Sequence, residues 1–169
     1  RCGPFGRYME TDGNGFYRAF QGIAPCGVFI LTNKHFIIMS TIPVILTIAG
    51  SDCSGGAGIQ ADIKTISALK GYAASVITAV TAQNTMGVQA VCPIPPDIVR
   101  AQITSVMDDL QPAAIKIGMV HNAAIVHTVA ECLQKFRPRF VVYDPVMVST
   151  SGRKLMTEDT VRTIQAELF

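Results

Sequence analysis

An apolar run, a turn carrying four glycines and an amphipathic stretch follow one another between Val44 and Lys70, and no other feature constrains the fold as much. Val44–Ala49 is short and apolar along its length, which suits a strand buried on both faces of a parallel sheet. The turn reads Gly50-Ser51-Asp52-Cys53-Ser54-Gly55-Gly56-Ala57-Gly58. Its glycines permit turns of positive φ and let a ligand come close to the backbone. A helix is predicted over Gly56–Lys70, with Ile59, Ile63 and Ile66 on one stripe and Gln60, Asp62 and Lys64 off it. Backbone N–H groups left exposed there, together with the helix dipole, would favour a polar or anionic group at the turn.

The alternation continues. Ala74–Val80 reads as a second buried strand and Val88–Ile94 as a short extended excursion. Pro95-Pro96-Asp97 opens a helix whose inner face is Val99, Ile103, Val106 and Leu110. Ala114–Met119 is a third strand, Asn122 caps a helix carrying Val126, Val129 and Leu133, and Phe140–Tyr143 is a fourth strand. Thr157 caps a last helix with Val161, Ile164 and Leu168 inward. Strands alternating with helices predict an α/β fold: three layers, αβα, with a mostly parallel central sheet.

Residues 1–38 carry no sustained period of 2 or 3.6. Two readings are open for them, a short N-terminal extension or residues upstream of a start at Met39, and the second is preferred. The expected division is therefore 1–38, a non-matching segment, and 39–169, one domain. Charged residues make up 15% of the chain and the net charge is +2, with no Lys/Arg stripe interleaved with aromatics, which argues against nucleic acid as a partner. The longest apolar stretch, Ile37–Ala49, is too short and too interrupted to span a bilayer, which needs roughly 20 apolar residues. No signal peptide is evident. The five cysteines form no CxxC pair and no metal cadence, which points to free thiols in a reducing compartment, the cytoplasm by default.

In such sheets ligands bind outside the carboxyl ends of the strands, so each strand end is a candidate site. A P-loop is absent, because Gly58 is followed by Ile59 and Gln60 instead of Lys and Ser/Thr. The dinucleotide pattern is formally present as Gly56-Ala57-Gly58-Ile59-Gln60-Ala61. Its companion acid is missing: no carboxylate lies between Asp62 and Asp97, which argues against NAD. At the second strand end, Gln83 offers a donor and an acceptor suited to a neutral heterocycle, although an isolated Gln-Asn pair is more often a loop cap. Met119, after the third strand, is either a polarisable pocket wall or plain core. Asp144, stiffened by Pro145, would hold Mg²⁺ through water or orient a phosphate, with an ordinary turn aspartate as an equal rival. Asp62 either points back to the pocket or is solvated.

Taken together, five segments resemble one family: Leu46–Asp52, Ser54–Thr65, Ala82–Thr85, Lys116–Met119 and Asp144–Met147. It is the hydroxymethylpyrimidine/phosphomethylpyrimidine kinases of thiamine biosynthesis, within the ribokinase-like superfamily. The resemblance runs from about Ile42 to Phe169. It implies ATP- and Mg²⁺-dependent phosphorylation of a pyrimidine's hydroxymethyl group and then of the resulting monophosphate. It further implies that Gln83 hydrogen-bonds the aminopyrimidine, and that Gly50, Ala57 and Thr81 contribute backbone contacts. Asp62, Met119 and Val146 would complete the pocket, with Asp144 toward metal and phosphates. The family's nucleotide site and catalytic residue would fall after Phe169, so the chain is expected to be the substrate-binding N-terminal part, truncated and inactive by itself. A pyridoxal-type kinase of the same fold and a non-catalytic pyrimidine-binding fragment are the alternatives. A homodimer is compatible with the superfamily.

Overall fold

A computed structural model describes residues 42–146 and 156–168, together with the backbones of four short strands between residues 7 and 38. Met39 and Met147 fall outside the described residues. The chain divides into two compact units, Arg1–Ile42 and Pro43–Phe169. In the first, β1 (Arg7–Thr11) pairs antiparallel with β2 (Tyr17–Gln21), and β3 (Phe29–Thr32) with β4 (His35–Ile38). No regular element was predicted there from periodicity. Two antiparallel strand pairs form nonetheless, because the ladder joins backbone to backbone whatever the side-chain period.

The second unit runs β5 (Val44–Asp52), α1 (Gly58–Ala68), β6 (Tyr72–Asn84), β7 (Gly87–Pro93) and α2 (Pro96–Asp109). It continues with β8 (Ala114–Ile117), α3 (Ala123–Phe136), β9 (Val141–Tyr143) and α4 (Glu158–Glu167). Its five strands lie in the order β7-β6-β5-β8-β9. All neighbours are parallel except β6 and β7, so the predicted mostly parallel sheet forms with one antiparallel edge. The expected excursion Val88–Ile94 is that edge. Pairing with it also draws β6 out to Asn84, beyond the apolar part of its sequence, since ladder hydrogen bonds do not require apolar side chains.

Period 2 sorts the central strands onto two faces. Leu46 and Ile48 of β5, Val76 of β6, and Ile115 and Ile117 of β8 are fully buried in one cluster with Val99 and Ile103 of α2, Val126 and Val129 of α3, and Ile164 of α4. Each fully buried Ile or Leu contributes about 2 kcal/mol of transfer free energy. The intervening residues face α1, which packs across β5 and β6. The result is a three-layer αβα arrangement.

Local signals set the helix ends. Asn122 Oδ1 accepts the Ile125 N–H at 3.0 Å, and Thr157 Oγ1 accepts the Thr160 N–H at 3.2 Å. Pro95 and Pro96 open α2 as predicted. Two details differ: α1 starts at Gly58, and of its predicted stripe Ile59 is buried while Ile63 and Ile66 are half-buried. No described helix is long and apolar enough to cross a membrane.

Candidate functional site

From β5 the chain pairs β6 on one side and β8 on the other, so the carboxyl ends on either side of β5 diverge. Such a switch point opens a crevice, where open α/β sheets bind ligands. An open cavity of about 230 Å³ lies there. The end of β5 brings Gly50 to it, β6 brings Thr81 and Gln83, and the segment after β8 brings Met119. Asp144 and Val146 arrive after β9, and Ala57 and Asp62 with α1. All eight residues singled out in the sequence therefore face one space.

The Gly-rich turn is built differently from the sequence expectation. Three of its N–H groups, those of Ser54, Gly56 and Ala57, do not stand open for a ligand; the Asp52 carboxylate takes them. Oδ1 of Asp52 accepts the Ser54 N–H at 2.8 Å and the Ser54 hydroxyl at 2.7 Å. Oδ2 accepts the N–H groups of Gly56 at 3.0 Å and Ala57 at 2.7 Å. Asp52 is 4% exposed. Burial alone would raise its pKa, but the Ser54 and Gln83 side chains and the Ser54 and Ala57 N–H groups outweigh it and lower the carboxyl to about 2. The turn thus carries its own anion. Ala57, whose N–H goes to Asp52 and whose carbonyl accepts from Ala61 at 3.2 Å, shapes the wall instead of offering a free amide.

Close backbone approach explains the glycine that ends the turn. Gly58 has φ of +57°, and a Cβ there would sit 2.2 Å from the Gly50 carbonyl oxygen. Gln60 then locks α1 to β5: its Oε1 accepts the Asp52 N–H at 2.8 Å, and its Nε2 donates to Ser51 Oγ at 2.8 Å. On the β6 side, Thr81 Oγ1 donates to the Ser51 carbonyl at 2.9 Å. The Cys53 thiol donates to the Gln83 carbonyl at 3.1 Å and accepts its N–H at 3.3 Å. Met119 is held through its carbonyl, which accepts from Thr78 Oγ1 at 2.8 Å. It is 8% exposed and lines the cavity as well, so it is core and wall together.

Asp62 is not solvated. Thr47 Oγ1, buried in β5, donates to its Oδ2 at 2.6 Å, and the Lys116 ammonium reaches both carboxylate oxygens at 3.0 and 3.1 Å. Lys116 also lies 3.8 Å from Asp144, beyond hydrogen-bond length. The sequence reading passed over Lys116 as part of a core strand. A lysine inside the otherwise apolar Ala114–Ile117 was the available signal, since a charge in such a strand must find a partner. Asp52, by contrast, carries no signal in the sequence that marks it as the turn's internal acceptor.

No group of three His, Cys, Asp or Glu able to enclose a metal occurs among the described residues. Asp144, with 61% of its side chain exposed, is the carboxylate available to a cation. One carboxylate suits Mg²⁺, which keeps most of its waters and shares a substrate's phosphates. Of the histidines, His127 pairs with Glu167 at 2.5 Å, and neither it nor His121 lines the cavity.

The family model described as Phosphomethylpyrimidine kinase matches residues 52–169. A hydroxymethylpyrimidine/phosphomethylpyrimidine kinase of Rhizobium meliloti is 54% identical over 126 residues, which cover 75% of this chain and 47% of the relative. The crystal structure of phosphomethylpyrimidine kinase from Clostridium difficile is similar with a TM-score of 0.71 and 49% identity, over 75% of this chain and 55% of that one. A pyridoxal kinase from Staphylococcus aureus in complex with AMP-PCP is similar with a TM-score of 0.65 and 31% identity, over 76% of this chain and 46% of that one. The chain spans about half the length, or less, of the curated relatives it matches.

Proposed function

The chain belongs to the phosphomethylpyrimidine kinase family, and from that premise we propose that its cavity binds 4-amino-5-hydroxymethyl-2-methylpyrimidine and its monophosphate, the substrates of an ATP- and Mg²⁺-dependent phosphotransferase of thiamine biosynthesis. The observation that carries the reading is the convergence of Gly50, Ala57, Asp62, Thr81, Gln83, Met119 and Val146 on one cavity at the sheet's switch point. Gln83 offers the ring edge an amide that both donates and accepts. Met119 and Val146 supply apolar contact to the ring faces, and Asp144 stands toward the phosphates and their metal.

Phosphoryl transfer depends on gripping the transferred group and stabilising its charge. The turn amides of Ser54, Gly56 and Ala57 are already committed to Asp52, which supports a division of labour. This chain supplies the alcohol's pocket, residues 39–169 being its extent, and the nucleotide's grip lies elsewhere in the full enzyme. The exposed Cys53 and Cys92 and the buried Cys132, all free thiols, support a cytoplasmic location.

Calorimetry on the chain with the pyrimidine alcohol, pyridoxal and ATP tests it. The alcohol should bind, and Gln83→Ala should weaken that binding by about tenfold or more, the effect of a lost paired hydrogen bond at a buried edge. The likeness to pyridoxal kinase sustains a second reading. Binding of pyridoxal without the pyrimidine would decide for it. Phosphate transfer by this chain alone would refute the division of labour.

A further inference from the structure

Beyond the roles assigned above, the cavity contains a charge arrangement that bears on which ring it accepts. Among the described residues, four ionisable side chains line it: Asp52, Asp62, Lys116 and Asp144. They are not electrically equivalent. Asp52 is compensated by three turn N–H groups and the Ser54 hydroxyl. Asp144 is largely in water, where its field is screened. Asp62 is neither: its side chain is 18% exposed, and its compensation comes from Thr47 and from the ammonium of Lys116, itself 25% exposed. Lys64, the cation on the same helix, turns away and donates to the Gly55 carbonyl at 2.8 Å.

We infer that Lys116 is a specificity-determining residue that makes the inner wall of the cavity electrically neutral, so that the site selects an uncharged ring over a cationic one. The inference rests on the reading of the cavity as a site for a small pyrimidine alcohol. Its physical basis is the limited solvent access of Asp62, whose side chain is 18% exposed. A carboxylate so placed and lacking its cation keeps a field that solvent only partly cancels, and a positive ligand becomes a ready source of compensation. With Lys116 present, that compensation is built in. Two contacts at 3.0 and 3.1 Å, with Thr47 at 2.6 Å on the same carboxylate, leave the pair no reason to recruit a second cation.

The pair also fixes a geometry. Lys116 sits on β8 and Thr47 on β5, at directly paired positions of the parallel ladder, so both side chains leave the sheet on the side of α1. Asp62 is received between them. Removing the ammonium should therefore change the sign of the wall without removing the pocket, because Thr47 continues to hold the carboxylate.

The test compares two probes by calorimetry at low and at physiological salt: the neutral aminopyrimidine alcohol and the same ring made permanently cationic by methylation of a ring nitrogen. The quantity read is the change between proteins in the ratio of their dissociation constants, in which the steric cost of the added methyl, common to every protein, cancels. Lys116→Met should shift that ratio toward the cation by about tenfold or more, as expected for a unit charge a few ångströms from a partly solvated carboxylate. Lys116→Arg, which keeps the charge, should leave the ratio near that of the unaltered chain. The double variant Asp62→Asn/Lys116→Met removes both charges and should return the preference to the neutral ring, even if the single variant is poorly stable. An unchanged ratio in Lys116→Met, or a double variant that still favours the cation, would overturn the inference while leaving the pocket assignment standing. Failure of both probes to bind the unaltered chain would overturn the pocket assignment, and the inference with it.

Discussion

Asp52→Asn removes one charge and no volume, and the structure says what that should do at each pH. The carboxylate accepts four hydrogen bonds from Ser54, Gly56 and Ala57, and its pKa is lowered to about 2 from an ordinary 3.8. A depressed folded-state pKa stabilises the fold above the unfolded value and loses that contribution as pH falls through the folded one. The shift corresponds to about 2 kcal/mol at neutral pH, falling away between roughly pH 4 and pH 2. Asparagine cannot reproduce the arrangement, since its NH₂ would face an N–H donor at whichever oxygen it replaced. The variant should therefore unfold at lower urea than the parent at pH 7, by about 2–3 kcal/mol of stability. The decisive quantity is the difference between the two proteins measured at pH 7, 5, 4, 3 and 2.5. It should stay constant down to about pH 5 and shrink below pH 4, as the carboxyl of the unfolded parent protonates while the folded one still resists. A difference that is constant from pH 7 to 2.5, or absent at pH 7, would refute the claim that Asp52 holds the turn as a charged acceptor.

Gly58→Ala places a Cβ 2.2 Å from the Gly50 oxygen at a φ of +57°, so thermal unfolding should show a loss of at least about 2 kcal/mol, and a neutral outcome would contradict the close approach. Asn122→Ala removes the cap on the Ile125 N–H and should cost about 1 kcal/mol in urea unfolding. Ligand affinity should not move, because Asn122 does not line the cavity.

Much of the scaffold was legible because its signals are local. Asn122, Thr157 and the Pro95-Pro96 pair act on backbone groups within a few residues, and their helices begin where they were expected. The spacing of Val99 and Ile103 buries them as predicted, and the even positions of β5 carry the core. The misses share a different character. The turn's N–H groups were expected to face a ligand, whereas Asp52, within the turn, occupies those of Ser54, Gly56 and Ala57. Composition shows both donors and acceptor, but only the folded turn shows them meeting. Lys116 was overlooked because its neighbours Ile115 and Ile117 are core, and a two-residue period says nothing about what waits on the other face.

By itself, then, the sequence determined the elements from Val44 onward, the caps at Asn122 and Thr157, the α/β class and the residue types at the strand ends. These depend on periodicities and contacts spanning a handful of positions. The tertiary structure alone decided the strand order β7-β6-β5-β8-β9, and with it the switch point that gathers those ends into one cavity. It alone decided that Asp62 meets a lysine 54 residues further along the chain. Strand order and ion pairing are settled by free energies between distant segments, through shared core packing and the cost of leaving a charge uncompensated. No local pattern encodes them.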